Sequence, residues 1–344
     1  MAAQGVGGGP VAPRGSFSMT VKFLHAFSRL AVKAAISAAL IAFALRDVDL
    51  AVVGAQLAAA NLYSVAAALG LITGISMIHA ERWRVVLRQL HCSLTFDQAL
   101  KYVLIGYFFN QTLPSTVGGD AFRIWGAYRG GIPIHDAASS VIIDRAVALA
   151  SLLVMIVAGL PWLFELITFP SARWITASLI VGGVIAMASV LALGRYSGFL
   201  DRRRIGRMLL ALITRARAVF LDVRALAFVA ALTIGGYTIA SYSVHLLARG
   251  ISVDLGFGYS LLLVPLITLV TVLPISIAGW GLRESAMVVA LGLIGVPAAA
   301  AFSLSILYGL VVMASGLPGG VIWLVARRGP GSIAAVDVKD PLKE

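Results

Sequence analysis

Two arginines stand just behind two breaks in apolar sequence, and a guanidinium placed there is suited to holding phosphate. Arg123 ends the phrase Leu113-Pro114-Ser115-Thr116-Val117-Gly118-Gly119-Asp120-Ala121-Phe122-Arg123, and Arg283 ends Leu273-Pro274-Ile275-Ser276-Ile277-Ala278-Gly279-Trp280-Gly281-Leu282-Arg283. Leu, Pro, Gly and Arg match at one offset (273 − 113 = 160), and Thr116/Ser276, Val117/Ile277 and Gly118/Ala278 are conservative pairs. Gly131-Ile132-Pro133 is echoed by Gly295-Val296-Pro297, now at an offset of 295 − 131 = 164. Proline stops an incoming helix by removing a backbone donor, and glycine then permits a sharp reversal. A new helix is expected to begin near Asp120 and near Leu282. Its free N–H groups and partial positive charge attract anions, and Arg123 or Arg283 in its first turn adds a planar, bidentate donor.

The same phrases nominate neighbours. Gly118, Gly119 and Gly281 shape the turns, while Asp120 and Glu284 sit beside the arginines. Asn110 precedes the first turn and could bond freed backbone groups or a headgroup. Asp144-Arg145 opens a later apolar run, where Asp144 would neutralise Arg123 or take up a proton or cation. Two plainer readings stand beside these. Each arginine could simply pair with Asp120 or Glu284 and close its hairpin, and Asp144-Arg145 could be an ordinary interfacial ion pair. Glu81-Arg82-Trp83-Arg84 reads as a cytoplasmic interface anchor, with headgroup recruitment the lesser reading.

The elements that must position these residues are membrane helices. The chain of 344 residues is 60% hydrophobic and 12% charged, far more apolar than a soluble core requires. Its net charge of +12 comes from basic residues clustered in short loops, which argues for positive-inside topology and against nucleic acid. The single cysteine, Cys92, excludes an intramolecular disulfide. His79, His135 and His245 lack ligand spacing, so neither a metal site nor a cofactor is expected. Asp47-Val48-Asp49 has the spacing of a metal–nucleotide-sugar carboxylate pair, but reads as loop charge in a minimal outer loop.

Spans are expected over 30–45, 62–80, 141–164, 174–193, 225–248 and 300–326. Two shorter apolar stretches, 102–113 and 259–273, each run into one copy of the repeated phrase. Lys22, Arg29 and Lys33, then Arg82 to Lys101, then the arginines of 195–224, then Arg327 and Arg328 mark the cytoplasmic side, and both termini fall there. The 195–224 segment could also form an amphipathic helix on the inner leaflet. With these sides fixed, 102–140 must enter and leave from inside and 259–296 from outside. The expected fold is therefore an all-α polytopic membrane protein of about six full spans plus two re-entrant broken-helix hairpins. It comprises a tail (1–20), a transmembrane domain (21–328) of inverted pseudo-repeats (about 21–194 and 195–328), and a polar tail (329–344). Eight ordinary spans with a coincidental repeat is the alternative. Broken segments at matching places in two halves point to a transporter-type site, in which Arg123, Arg283 and the two helix N-termini hold one phosphate while Asp120, Asp144 and Glu284 balance those charges or contact a cationic headgroup.

Beyond these arguments, Arg82-Trp83-Arg84-Val85-Val86-Leu87, Phe108-Phe109-Asn110-Gln111-Thr112-Leu113-Pro114, Gly118-Gly119-Asp120 with Arg123, Ser140-Val141 with Asp144-Arg145, Gly281 with Arg283-Glu284, and Leu317-Pro318-Gly319-Gly320 resemble the lysylphosphatidylglycerol synthase transmembrane family. Ser115 departs from the glycine that the family usually carries after Leu-Pro. The resemblance implies a multi-pass bacterial inner-membrane protein that moves a phospholipid or lipid-linked headgroup between leaflets as a flippase or scramblase. Relatives that make aminoacyl lipids carry a soluble synthase domain. None is recognisable here, so lipid aminoacylation by this chain alone is not expected, and a separate lipid synthase would be a partner. Two other readings stay open: a lipid-modifying, polyprenyl-phosphate sugar transferase, and a non-catalytic partner of a synthase.

Overall fold

The computed structural model describes residues 31–46, 48–112, 118–166, 173–174, 177–178, 181–183, 185, 204–272, 276 and 279–328. Residues 113–117 and 273–275, where the sequence predicts turns, most of the expected 174–193 span, residues 195–203 and both tails lie outside them. The described residues are all-helical. The helices are α1 (Ala31–Leu45), α2 (Leu50–Ala58), α3 (Leu62–Gln89), α4 (Phe96–Thr112), α5 (Gly118–Arg129), α6 (Ile134–Leu166), α7 (Arg204–Leu221), α8 (Val223–Gly250), α9 (Phe257–Thr271), α10 (Leu282–Gly292), α11 (Ala298–Ser315) and α12 (Leu317–Arg328).

Four stretches are long and apolar enough to cross a membrane: α3, α6, α8 and the run Ala298–Ala326 through α11 and α12. Helices α1 and α9 are apolar but shorter. Outward-facing Met77, Val154, Trp162, Phe228 and Leu310 are exposed, an arrangement costly in water and suited to lipid.

Helix boundaries follow local chemistry, and the same chemistry recurs along the chain. Asn61 caps α3 by accepting the Tyr63 and Ser64 N–H groups, and Asp222 caps α8 by accepting those of Arg224 and Ala225. Beyond α3, His91 turns left-handed (φ +57°) and the Cys92 N–H reaches back to Leu87 O. Beyond α8, Ser252 does the same (φ +58°) and the Val253 N–H reaches Ala248 O. Gly131 (φ +93°) and Gly295 (φ +79°) then end α5 and α10, with the Ile132 N–H on Ala127 O and the Val296 N–H on Leu291 O. These are helix-ending turns of one design, at matching places in the two halves. The repeated sequence phrase is thus accompanied by matching helix ends, those of α3 with α8 and of α5 with α10.

Helices α3 and α8 form the central pair and lie antiparallel. The Asn61 N–H donates to Gly250 O at the start of α3, and Gln89 Nε2 donates to Asp222 at its end. Helices α4 and α5 form a hairpin whose arms touch through glycine: a Cβ on Gly119 would lie 2.2 Å from Gly106 O, and one on Gly126 would lie 2.7 Å from the Tyr102 ring. Gly319 brings α12 equally close to the α4 backbone at Leu104. The largest apolar core is built from Leu247, Leu263, Leu291, Leu304 and their neighbours, across α3, α8, α9, α10 and α11. Helix α7 takes up residues 204–221 of the basic 195–224 segment, and its Ile213, Ala216 and Val219 are buried. Ala216 and Val219 pack against Val85, Val86, Ile143 and Val147.

Candidate functional site

Helices α3, α5 and α6 bring charge into the protein interior. Arg82 (4% exposed, on α3) and Arg123 (7%, on α5) converge on Asp144 (0%, on α6). Arg82 Nε and a terminal nitrogen donate to the two Asp144 oxygens at 2.7 and 3.2 Å, and Arg123 donates to Asp144 Oδ2 at 2.9 Å. Arg145 forms a two-pronged pair with Asp120 at 2.9 and 3.0 Å, and Arg123 approaches the same carboxylate at 3.7 Å. Taking Arg82, Arg123 and Asp144 out of water costs several kcal/mol each, so this buried triad persists only because its members satisfy one another.

Neutral groups complete the setting. The Arg123 guanidinium lies 4.4 Å from the Trp83 ring centroid, and Trp83 is fixed by donating Nε1–H to Ser140 at 3.0 Å. A buried cation over an indole face gains roughly 2 kcal/mol. Thr233 of α8 meets Arg82 at 3.5 Å. Tyr107 hydrogen-bonds His79 Nδ1. Asn110 Oδ1 accepts the Gly119 N–H at 2.9 Å. That contact satisfies one of the donors left free at the α5 N-terminus. Among the described residues, the buried Arg123 Nε–H has no partner. An orphaned donor of this kind carries a desolvation cost of about 1–3 kcal/mol unless something binds it.

These groups surround a cavity of about 280 Å³. Arg82, Asp120, Arg123 and Arg145 line it together with His79, Tyr107, Asn110, Thr233, Tyr237 and Tyr308. Its lining thus comes from α3, α4, α5, α6, α8 and α11, with Thr268 added from α9.

The second phrase builds a different site. Gly281 (φ +84°) precedes α10, and its N–H donates to the Glu284 carboxylate at 2.5 Å. Arg283 donates to Glu284 at 2.6 and 3.1 Å and stacks on Trp280 at 4.7 Å. Glu284 is 1% exposed and also accepts from Ser305. Here the plainer reading, arginine paired with the adjacent carboxylate, describes the geometry. Arg283, Glu284 and Gly281 do not line the cavity that holds Arg123. Gly309 of α11 makes room for Arg283: a Cβ there would lie 2.1 Å from the guanidinium. Gly309→Ala is expected to dislodge Arg283 and lower stability by about 1–3 kcal/mol, measured by thermal unfolding in detergent. Gly54→Ala, with nothing within 4 Å, is the control and is expected to raise stability slightly.

Of the residues nominated from sequence, Asn110, Asp120, Arg123 and Arg145 line the cavity, Asp144 accepts from two of its lining arginines, and Gly119 sets the close approach of α5 to α4. Gly118 opens α5. Arg82 and Trp83 are a correction: both are buried in the network instead of anchoring an interface. An aromatic beside arginines at a span end has the same composition in either setting. His79, Tyr107, Thr233 and Tyr237 were not singled out as site residues, and only their fall on inward helix faces could have marked them. Asp49 caps α2 by accepting the Ala51 N–H at 2.8 Å, which accounts for that residue structurally.

A polytopic α-helical membrane protein with a buried arginine–aspartate cavity between paired helices is the class that this geometry defines. The family model described as "Lysylphosphatidylglycerol synthase TM region" matches residues 30–320, and the chain belongs to that family. Comparison with the curated proteins returns no match.

Proposed function

We propose that the protein translocates a phospholipid or lipid-linked headgroup between the leaflets of the bacterial inner membrane, with both termini in the cytoplasm. The observation that carries this reading is the cavity at the centre of the helix pairs, with three arginines on its wall. Intramembrane ions are expensive and mark pathways. The matching caps and turns of the two halves, and the antiparallel α3 and α8, support inverted repeats. In this reading α4–α5 and α9–α10 are the re-entrant hairpins, two among about six full spans. Alternating exposure then comes from rocking one half against the other while the acyl chains stay in lipid. Arg123 and its neighbours hold the phosphate, and the Arg283–Glu284 pair closes the second hairpin.

This is transport without covalent chemistry. The capping role of Asp49 supports it over a sugar transferase that would need that carboxylate for a metal. A separate synthase, where one supplies the lipid, is a partner. The test is leaflet exchange of fluorescent phospholipids in proteoliposomes. Protein-dependent exchange is expected without nucleotide or metal. Folded protein that exchanges no lipid would contradict the reading.

A further inference from the structure

The α4–α5 hairpin carries another pocket, of about 200 Å³, that shares no lining residue with the central cavity. Lys101, Tyr102 and Ile105 of α4 and Phe122, Trp125 and Arg129 of α5 form its wall. The three α5 residues recur at i, i+3 and i+7, one face of that helix. Arg123, the next residue after Phe122, lines the central cavity instead. Lys101 and Arg129 stand toward the end of the hairpin where α4 begins and α5 finishes, beside the last turns of α3, whose Arg84 lies over the Phe96 ring at 5.8 Å. Cations interleaved with Tyr and Trp are the composition of a membrane–water boundary.

Other basic residues near this end are compensated. Arg84 and Arg88 share Glu81, and Arg215 meets Asp136 at 2.8 Å. Lys101 and Arg129 form no ion pair among the described residues. Asp97, one turn before Lys101, is exposed and does not reach it. Arg129 instead lies 5.8 Å from the Trp125 ring centroid. The aromatic wall is continuous: Phe122 packs 5.3 Å from Trp125, 5.4 Å from Phe109 and 6.4 Å from Tyr102. Two uncompensated cations over one pocket call for an anion. The rings beneath them offer apolar surface that a free phosphate would leave unused.

We infer that this pocket binds the phosphate of an anionic lipid from the adjacent leaflet, held as a resident ligand at the foot of the hairpin and not as cargo. The inference goes beyond the transport reading and does not depend on it. Basic pockets between membrane helices hold headgroups in this way, each cation near the surface adding to the attraction. Lys101 belongs to one arm of the hairpin and Arg129 to the other, so one phosphate ties both arms together. The glycerol and the first methylenes lie on Phe122 and Trp125. Occupancy thereby steadies the helix that carries Arg123.

The test counts bound lipid by native mass spectrometry on the full-length protein in non-ionic detergent. The probes are dioctanoyl phosphatidic acid, dioctanoyl phosphatidylcholine and glycerol 3-phosphate. The double variant Lys101→Gln/Arg129→Gln removes two exposed, unpaired side chains and is expected to keep its lipid-free unfolding profile. It is expected to bind one phosphatidic acid fewer than wild type, or to bind it roughly tenfold more weakly. The charge-preserving swap Lys101→Arg/Arg129→Lys retains that lipid, and so does Arg145→Gln in the central cavity. Equal phosphatidic acid binding by wild type and the glutamine variant overturns the inference. Loss in Arg145→Gln alone places the lipid in the central cavity and overturns it as well. Phosphatidylcholine binding as tightly as phosphatidic acid defeats the charge argument, and glycerol 3-phosphate binding as tightly defeats the lipid assignment.

Discussion

Asp144→Ala is expected to lower stability by about 3–5 kcal/mol. The reason is not the loss of one ion pair. Asp144 is the shared acceptor of Arg82 and Arg123, both of which are buried. Its removal leaves two guanidiniums facing each other with only the Asp120 contact at 3.7 Å to offset them. Asp144→Asn keeps volume and one acceptor oxygen but not the charge, and is expected to fall between alanine and wild type. Arg145→Gln provides the comparison. It breaks a pair whose arginine is half-exposed, and such pairs contribute about 0–1 kcal/mol. Thermal or denaturant unfolding in one detergent, followed by circular dichroism, ranks the three. Near-equal stability of Asp144→Ala and Arg145→Gln would show that the buried network is not structural.

The second large effect concerns backbone contact. Gly119→Ala is expected to lower stability by about 3 kcal/mol, at the upper end for overpacking. The new Cβ would fall 2.2 Å from Gly106 O and 2.7 Å from the Asn110 side chain. The first obstacle is backbone and cannot rotate away. Helix α5 would have to move off α4, which breaks the Asn110–Gly119 hydrogen bond and shifts Arg123 one turn further along. Close glycine contacts of this kind are a means by which membrane helices pack without a hydrophobic driving force. Gly74→Ala in α3, with nothing within 4 Å, is expected to be neutral or slightly stabilising. The two variants compared by unfolding and by size-exclusion profile decide whether the hairpin contact is as tight as described.

Particular residues show how far the sequence could be read. Arg123 and Asp144 were legible as partners because both are charges inside apolar runs, and such charges need each other. Arg82 was not, because its partner lies 62 residues away on another helix and its neighbours Trp83 and Arg84 match an interface pattern equally well. The repeat was visible where proline and glycine make the turn chemistry explicit, at Leu113-Pro114 and Gly131. It was invisible at His91 and Ser252, which adopt the same left-handed turn with residue types that do not announce it. The caps Asn61 and Asp222 were likewise hidden, since Asn and Asp are interchangeable in that role and share no identity. The two arginine cradles were read as one site because the phrases are alike. What separates them is the identity of the next carboxylate. Glu284 is long enough to fold back onto both Gly281 and Arg283, whereas Asp120 is engaged by Arg145 and leaves Arg123 to Asp144.

The central claim is that the arginine-lined cavity handles the headgroup during transfer. Leaflet exchange of fluorescent phosphatidylglycerol in proteoliposomes, wild type beside Arg145→Gln, tests it most directly, because that residue lines the cavity yet contributes little to folding. The predicted result is exchange by the wild type that falls by about tenfold in the variant with its unfolding profile preserved. Equal exchange by the two proteins, with both folded, would contradict the claim and place the lipid path elsewhere.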